Sequence, residues 1–369
     1  MKQRKSDRNI RNENIETLRV VSIVLIIAFH YVFHGRAGLN EESVLIRFSS
    51  EFIYHFGELG ATCFFLISGY YLKESTFKME KLILLVFQVE FYILISKLIL
   101  VFMHQPVQWR LIDFFPFLKE DGYWFVTVYI LIYLLQPFLK IAVGCFSKQQ
   151  IGSLILMQIA LWSVVPTVVY STFIRSDNTE SMPFYNRYIW FLIVYLMGYY
   201  FHEYGFPLPS KDLLHIRKAK PIVKLIFPFE LLALFIIMGE RGLWPYRATF
   251  FWTPNSVLMV FMSITLFWMF VQWKPKHNVR WILPLASATL GIYLFHDGEL
   301  RTFLWDDAFL YHNCSRCFLY IGQIFWAVLC VFVVGFVLDR IRFVIEEHTI
   351  IPMIRMIKGR LKGREKWIP

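Results

Sequence analysis

Two residues in the first apolar stretch, Arg19 and His30, are of types that do chemistry, and their spacing puts them together. They stand eleven positions apart. At about 100° per residue that is three helical turns plus about 20°, so both lie on one face, roughly 16 Å apart along the axis. Ser22 and Ile26 fall on the same stripe. A guanidinium grips phosphates and carboxylates, and an imidazole takes up and returns a proton near neutral pH. Each also has a plain structural reading. Arg19 could reach to a headgroup layer and fix orientation, and His30 could be a core histidine satisfied by a backbone carbonyl. Sharing one face favours a site. His34, one turn beyond His30, is either a second titrating group or an interfacial residue.

The elements that must hold these residues follow from composition. The chain has 369 residues, of which 57% are hydrophobic and only 18% charged, with a mean hydropathy of +0.50. Soluble domains average about 45–50% apolar and about 25% charged. A soluble globule and a disordered chain are both excluded, which leaves a polytopic membrane protein. About ten stretches are long enough to cross a bilayer as helices: 17–34, 53–72, 82–103, 123–143, 152–171, 188–204, 221–239, 255–273, 281–296 and 318–339. Lipid forbids open sheet edges, so the expected fold is an all-α bundle of about ten transmembrane helices. The net charge of +11 needs no nucleic acid to explain it. If the spans alternate from a cytoplasmic N-terminus, most Lys and Arg fall on the inner side, which puts both termini in the cytoplasm. Residues 1–345 then form the membrane domain. Residues 346–369 read as a basic amphipathic tail on the inner leaflet.

Cys63, Cys145 and Cys330 sit in apolar runs. Cys314 and Cys317 form a Cys-x-x-Cys in a polar loop, open to a local disulfide if that loop is extracytoplasmic. No metal constellation or Gly-rich phosphate loop stands out, so no metal is expected. Glu90 and Lys97, seven residues apart, could pair along one helix face.

At larger scale the sequence resembles the acyltransferase 3 family, integral-membrane O-acyltransferases of surface glycans. The resemblance rests on Arg19-x10-His30, on GATCFFLISGYYL (60–72) with Ser68, Gly69 and Tyr70, on YWFVTVYILIYLLQPFL (123–139), and on ATLGIYLFHDGELRTFLW (288–305) with Tyr293, His296, Asp297, Arg301 and Trp305. It implies an acyl-CoA donor, usually acetyl-CoA, in the cytoplasm. It implies a carbohydrate hydroxyl as acceptor, often outside, with Arg19 and His30 essential. Some members carry Arg-x-x-Arg in a cytoplasmic loop. Here IRKAK offers Arg217, Lys218 and Lys220, a departure that puts the loop's phosphate role in doubt because Lys does not copy a bidentate Arg grip.

Under that resemblance His30 is the expected general base, oriented by Glu58 or Asp297. Glu58 could equally be a solvated helix-start carboxylate, and Asp297 could pair only with Arg301. Arg19, Arg217, Lys218 and Lys220 would hold the donor's phosphates, and its arm would thread past Ser68 and Tyr70. His34, His296, Arg301 and the aromatics Tyr123, Trp124, Tyr185 and Trp305 could meet the sugar, although aromatics there also suit an interfacial belt. The expected partners are lipid, acyl-CoA and a carbohydrate, with self-association open, in a plasma membrane of bacterial type. A transporter of a glycan precursor or acylated metabolite is the competing reading, because intramembrane Arg and His also mark carriers.

Overall fold

The computed structural model describes residues 12–37, 43–115, 123–167, 186–206, 253–273, 279–311 and 316–365, together with Pro228 and Glu230. Among these residues the fold is all-helical, with no strand. The helices are α1 (Glu13–His34), α2 (Val44–Tyr54), α3 (Phe56–Tyr70), α4 (Met79–Phe102), α5 (Trp124–Cys145), α6 (Lys148–Ile159), α7 (Arg187–Tyr204), α8 (Val257–Gln272), α9 (Ile282–His296), α10 (Cys317–Ile345) and α11 (Ile351–Glu365). Nine of the ten expected spans fall on these helices; 221–239 lies outside the described residues except at Pro228 and Glu230. Among the described residues, five helical runs are long and apolar enough to cross a membrane, and α8 and α9 are shorter apolar helices.

Local sequence explains where several helices begin. Asn12 caps α1, its side chain accepting from the Asn14 amide, and Glu13 and Glu16 place negative charge in the first turn. Asn186 accepts from the amides of Tyr188 and Ile189 at the start of α7. Ser256 accepts from Met259 N at the start of α8. Beyond their caps these helices are apolar nearly all round, the pattern of elements that water does not surround. Phe325 on α10 is 68% exposed and Phe138 on α5 is 69% exposed. Together with their neighbours they make apolar faces far larger than a soluble monomer carries. This is a membrane protein.

The core lies on both sides of α1. One half packs α1 with α3, α7 and α8; the other packs it with α4, α9 and α10. The closest approach is between α3 and α7. A Cβ on Gly69 would lie 1.8 Å from Tyr195 O, and one on Gly198 would lie 2.2 Å from Leu66 O. Only hydrogen at both positions lets the backbones meet, the device by which membrane helices gain dispersion energy without a hydrophobic drive. The start of α1 is tied to the region between α8 and α9, with Asn14 Nδ2 donating to Trp273 O and Arg280 pairing with Glu13 at 3.1 Å. At its C-terminal end α10 runs through a π-helical turn, Glu346–Ile350, straight into α11. That turn stands just ahead of Pro352, whose missing N–H breaks the regular ladder. Lys358 pairs with Glu80 in the first turn of α4, which ties α11 to the bundle.

Candidate active site

α1 delivers His30 and His34 to one end of the bundle, one helical turn apart. α9 ends there on His296, and Asp297 is its C-cap, with its backbone N–H bonded to Tyr293 O. The chain then turns, and Arg301 N bonds Gly298 O. These two elements set the geometry. Asp297 Oδ1 stands 3.3 Å from His34 Nε2, 3.9 Å from His30 Nε2 and 3.9 Å from Arg301 Nη1. The carboxylate is the hub, with its side chain 7% exposed beside 8% for His30, 19% for His34 and 39% for Arg301.

His296 closes the inner wall. Its Nδ1 donates to Ile292 O at 2.6 Å, which leaves a lone pair on Nε2, and that nitrogen has no hydrogen-bond partner among the described residues. The His296 and His30 ring centroids are 5.0 Å apart. His30 Nδ1 is likewise buried and without a partner there. Each of these two neighbouring rings thus keeps one buried nitrogen without a partner among the described residues.

The remaining expected site residues divide. Of the two carboxylates expected beside His30, Asp297 is the one brought there. Glu58 on α3 instead has Arg187 as its facing charge and Tyr54 as a neighbour. Tyr123 and Trp305 are buried, against the expectation of sugar-stacking platforms. Tyr123 donates to Leu294 O at 3.1 Å, and Trp305 packs edge-on against His296 and Tyr31. The segment after α9 folds back over its own helix end and sets Trp305 behind His296, whereas Tyr123, at the start of α5, packs against the last turn of α9. Trp124 remains half-buried, stacked on Phe191 with the Arg187 guanidinium 4.5 Å above its ring. Of these residues, His34, Arg301, Trp124 and Arg187 are the ones that remain partly or fully accessible.

At the opposite end of α1, Arg19 Nε stands 3.5 Å from the buried Glu16 carboxylate. Ser68 donates to Phe64 O on its own helix at 2.8 Å, and the Tyr70 ring meets His202 and Phe267 edge-on. Arg217, Lys218, Lys220 and Tyr185 lie outside the described residues. The stripe joining Arg19 to His30 is packed solid against α3. A Cβ on Gly60 would lie 2.7 Å from Ser22 O and 2.8 Å from Ile26 Cγ1. A donor arm cannot follow the α1–α3 seam unless these helices part.

Sequence reasoning missed Arg187 and the true partners of Lys97. Glu90 is two turns from Lys97, too far for contact. Lys97 is buried, stands 2.8 Å from Asp113 and 3.5 Å from Glu299, and donates to Gln108 O. It fastens the segment after α4 to the turn that carries Asp297. A second omission concerns metal. The structure does assemble a constellation: one ligand atom each from His30, His34 and Asp297 lie within 4.8 Å of one another. The His-x-x-x-His spacing was the available signal, and it gained meaning only when Asp297 arrived from α9.

The family model described as "Acyltransferase domain" (acyltransferase 3) matches residues 12–340, an interval that contains both ends of α1, the Asp297 hub and most of α10. Comparison with curated proteins found no match, and neither did comparison with solved structures. With its apolar bundle and its histidine–aspartate centre inside the matched interval, the chain belongs to the acyltransferase 3 family of membrane acyltransferases.

Proposed function

We propose that this protein moves an acetyl group from acetyl-CoA, held at the cytoplasmic end of the bundle, to a hydroxyl of an extracytoplasmic glycan. The glycan is a capsular or exopolysaccharide or its lipid-linked precursor. The observation that carries the reading is the Asp297 hub at His30, inside the part of the chain that belongs to an acyltransferase family.

In this reading the Nε2–H of His30 faces Asp297, which leaves Nδ1 as the basic atom. The acceptor oxygen attacks the thioester carbonyl while Nδ1 takes its proton. The tetrahedral intermediate collapses with cleavage of the C–S bond, and the imidazolium returns the proton to the departing CoA sulfur. Asp297 stabilises the imidazolium and holds the productive tautomer. Its 3.9 Å separation from His30 is long for a hydrogen bond, and such contacts commonly tighten when substrate binds. Arg301 and Arg187 orient the acceptor. Arg19, with Arg217, Lys218 and Lys220, holds the donor's phosphates, because CoA is too highly charged to enter hydrocarbon, and its arm reaches His30 along this seam only when α1 and α3 part at Gly60.

The test uses purified protein, labelled acetyl-CoA and O-deacetylated surface glycan. CoA release and label transfer are expected with the wild type and absent with His30→Ala. A normal rate from His30→Ala would remove the general-base role. Movement of glycan across a sealed bilayer without CoA release would replace this reading with the transporter.

A further inference from the structure

We infer that His30, His34 and Asp297 form a binding site for a late first-row divalent cation such as Zn²⁺, and that occupation of this site is incompatible with acyl transfer. The second half rests on the proposed role of His30; the first half does not.

The argument begins with spacing. Ligand atoms around tetrahedral zinc, at about 2.0–2.2 Å from the metal, lie about 3.3–3.5 Å from one another. His34 Nε2 and Asp297 Oδ1 already stand 3.3 Å apart, and His30 Nε2 is 3.9 Å from the same oxygen. All three ligand atoms lie within 4.8 Å of one another, so a side-chain movement of about one ångström brings the set onto a single ion. Two imidazoles and one carboxylate suit zinc, copper or nickel, whereas magnesium and calcium demand oxygen. The two histidines come from adjacent turns of one helix, so both rings project from the same face before the metal arrives. The charges facing the site are Arg301 and the neighbouring His296. Arg301 is the competing cation and is exposed enough to swing aside. His34 is the more open of the two histidine ligands and gives the ion its entry.

The incompatibility follows from the tautomer. A metal on His30 Nε2 takes the lone pair of that nitrogen and leaves the ring's single proton on Nδ1. Nδ1 is the atom that must be unprotonated to accept the acceptor's hydroxyl proton. A bound metal therefore removes the base without touching either substrate.

The experiment titrates untagged, chelator-stripped protein in detergent with Zn²⁺ and, separately, with Co²⁺ as a visible probe. One equivalent should bind to the wild type, with Co²⁺ absorption bands in the visible region. His34→Ala should bind at least tenfold more weakly, and Arg301→Gln at least as tightly as wild type. His34→Gln serves if the alanine variant does not fold, and the wild-type Co²⁺ spectrum stands without any variant. In the transfer assay, saturating Zn²⁺ should slow the wild type at least tenfold, with recovery on adding EDTA. Zinc binding no better than that of the His34 variants would overturn the site. Zinc bound at one equivalent with unchanged or faster transfer would overturn the incompatibility. Because the titration needs no turnover, absence of transfer in metal-free protein would count against the proposed function alone.

Discussion

Two of the buried charge clusters among the described residues are satisfied to different degrees. Where α10 passes α9 and α4, Asp339 receives Arg342 at 2.9 Å, Arg340 at 2.7 Å and the Gln88 amide at 3.3 Å, and Arg342 also pairs with Glu346. At the His30 end, one carboxylate serves three cation-capable groups at 3.3–3.9 Å, and the open nitrogens of His30 and His296 stand beside it. The first arrangement is a clamp, with short bonds converging on a fully buried carboxylate. The second is looser, and two of its ring nitrogens have no partner among the described residues. A polar cluster that is well satisfied holds helices together, whereas one that is incompletely satisfied inside a low-dielectric bundle is arranged to work.

Substitutions can break or sharpen that contrast. The largest effect belongs to His30→Ala, expected to lower the transfer rate by about 10²–10⁴-fold, the range for loss of a general base, with unchanged thermal unfolding; turnover against labelled acetyl-CoA, paired with a melting curve, measures it. Next is Asp339→Ala. It leaves the buried Arg342 and the half-buried Arg340 short of a partner and should cost about 3–5 kcal/mol of stability. The yield of folded protein and its unfolding midpoint should fall, while the rate per folded molecule is kept. If Asp339→Ala instead killed turnover at full stability, the division into clamp and working site would collapse. Asp297→Asn should slow transfer by about 10–100-fold, the usual loss for a partner that orients an imidazole. Glu58→Gln should do far less, so equal losses from the two would reopen which carboxylate serves His30. The smallest effect is expected of Lys73→Ala, whose exposed pair with Glu203 at 2.7 Å contributes within about 1 kcal/mol.

Much of the site could be read before any coordinates. Arg19 and His30 share one helix, and a helix fixes the relation of residues eleven apart through its own geometry. Asp297, His34 and Arg301 were likewise visible as candidates. Their order of importance was not, because it depends on which carboxylate of which helix arrives at His30. Tyr123 and Trp305 show the limit from another side. An aromatic near a helix end reads the same in sequence whether it faces a sugar or backs a histidine. Lys97 shows it again: Glu90 is near in sequence, but Asp113 and Glu299 are near in space.

The sequence alone determined that this chain lives in a bilayer, that it is helical, and that one helix carries a guanidinium and an imidazole on a common face. Those properties follow from composition and from short-range periodicity, which each segment carries within itself. Only the tertiary structure decided that Asp297 stands beside His30 while Glu58 faces Arg187, that α1 and α3 close the direct path between Arg19 and His30, and that two histidines and an aspartate lie within 4.8 Å of one another. Each of these joins residues brought together by the rotation and close approach of separate helices. That approach is set by packing at small residues such as Gly60 and Gly69, and no single segment's sequence encodes it.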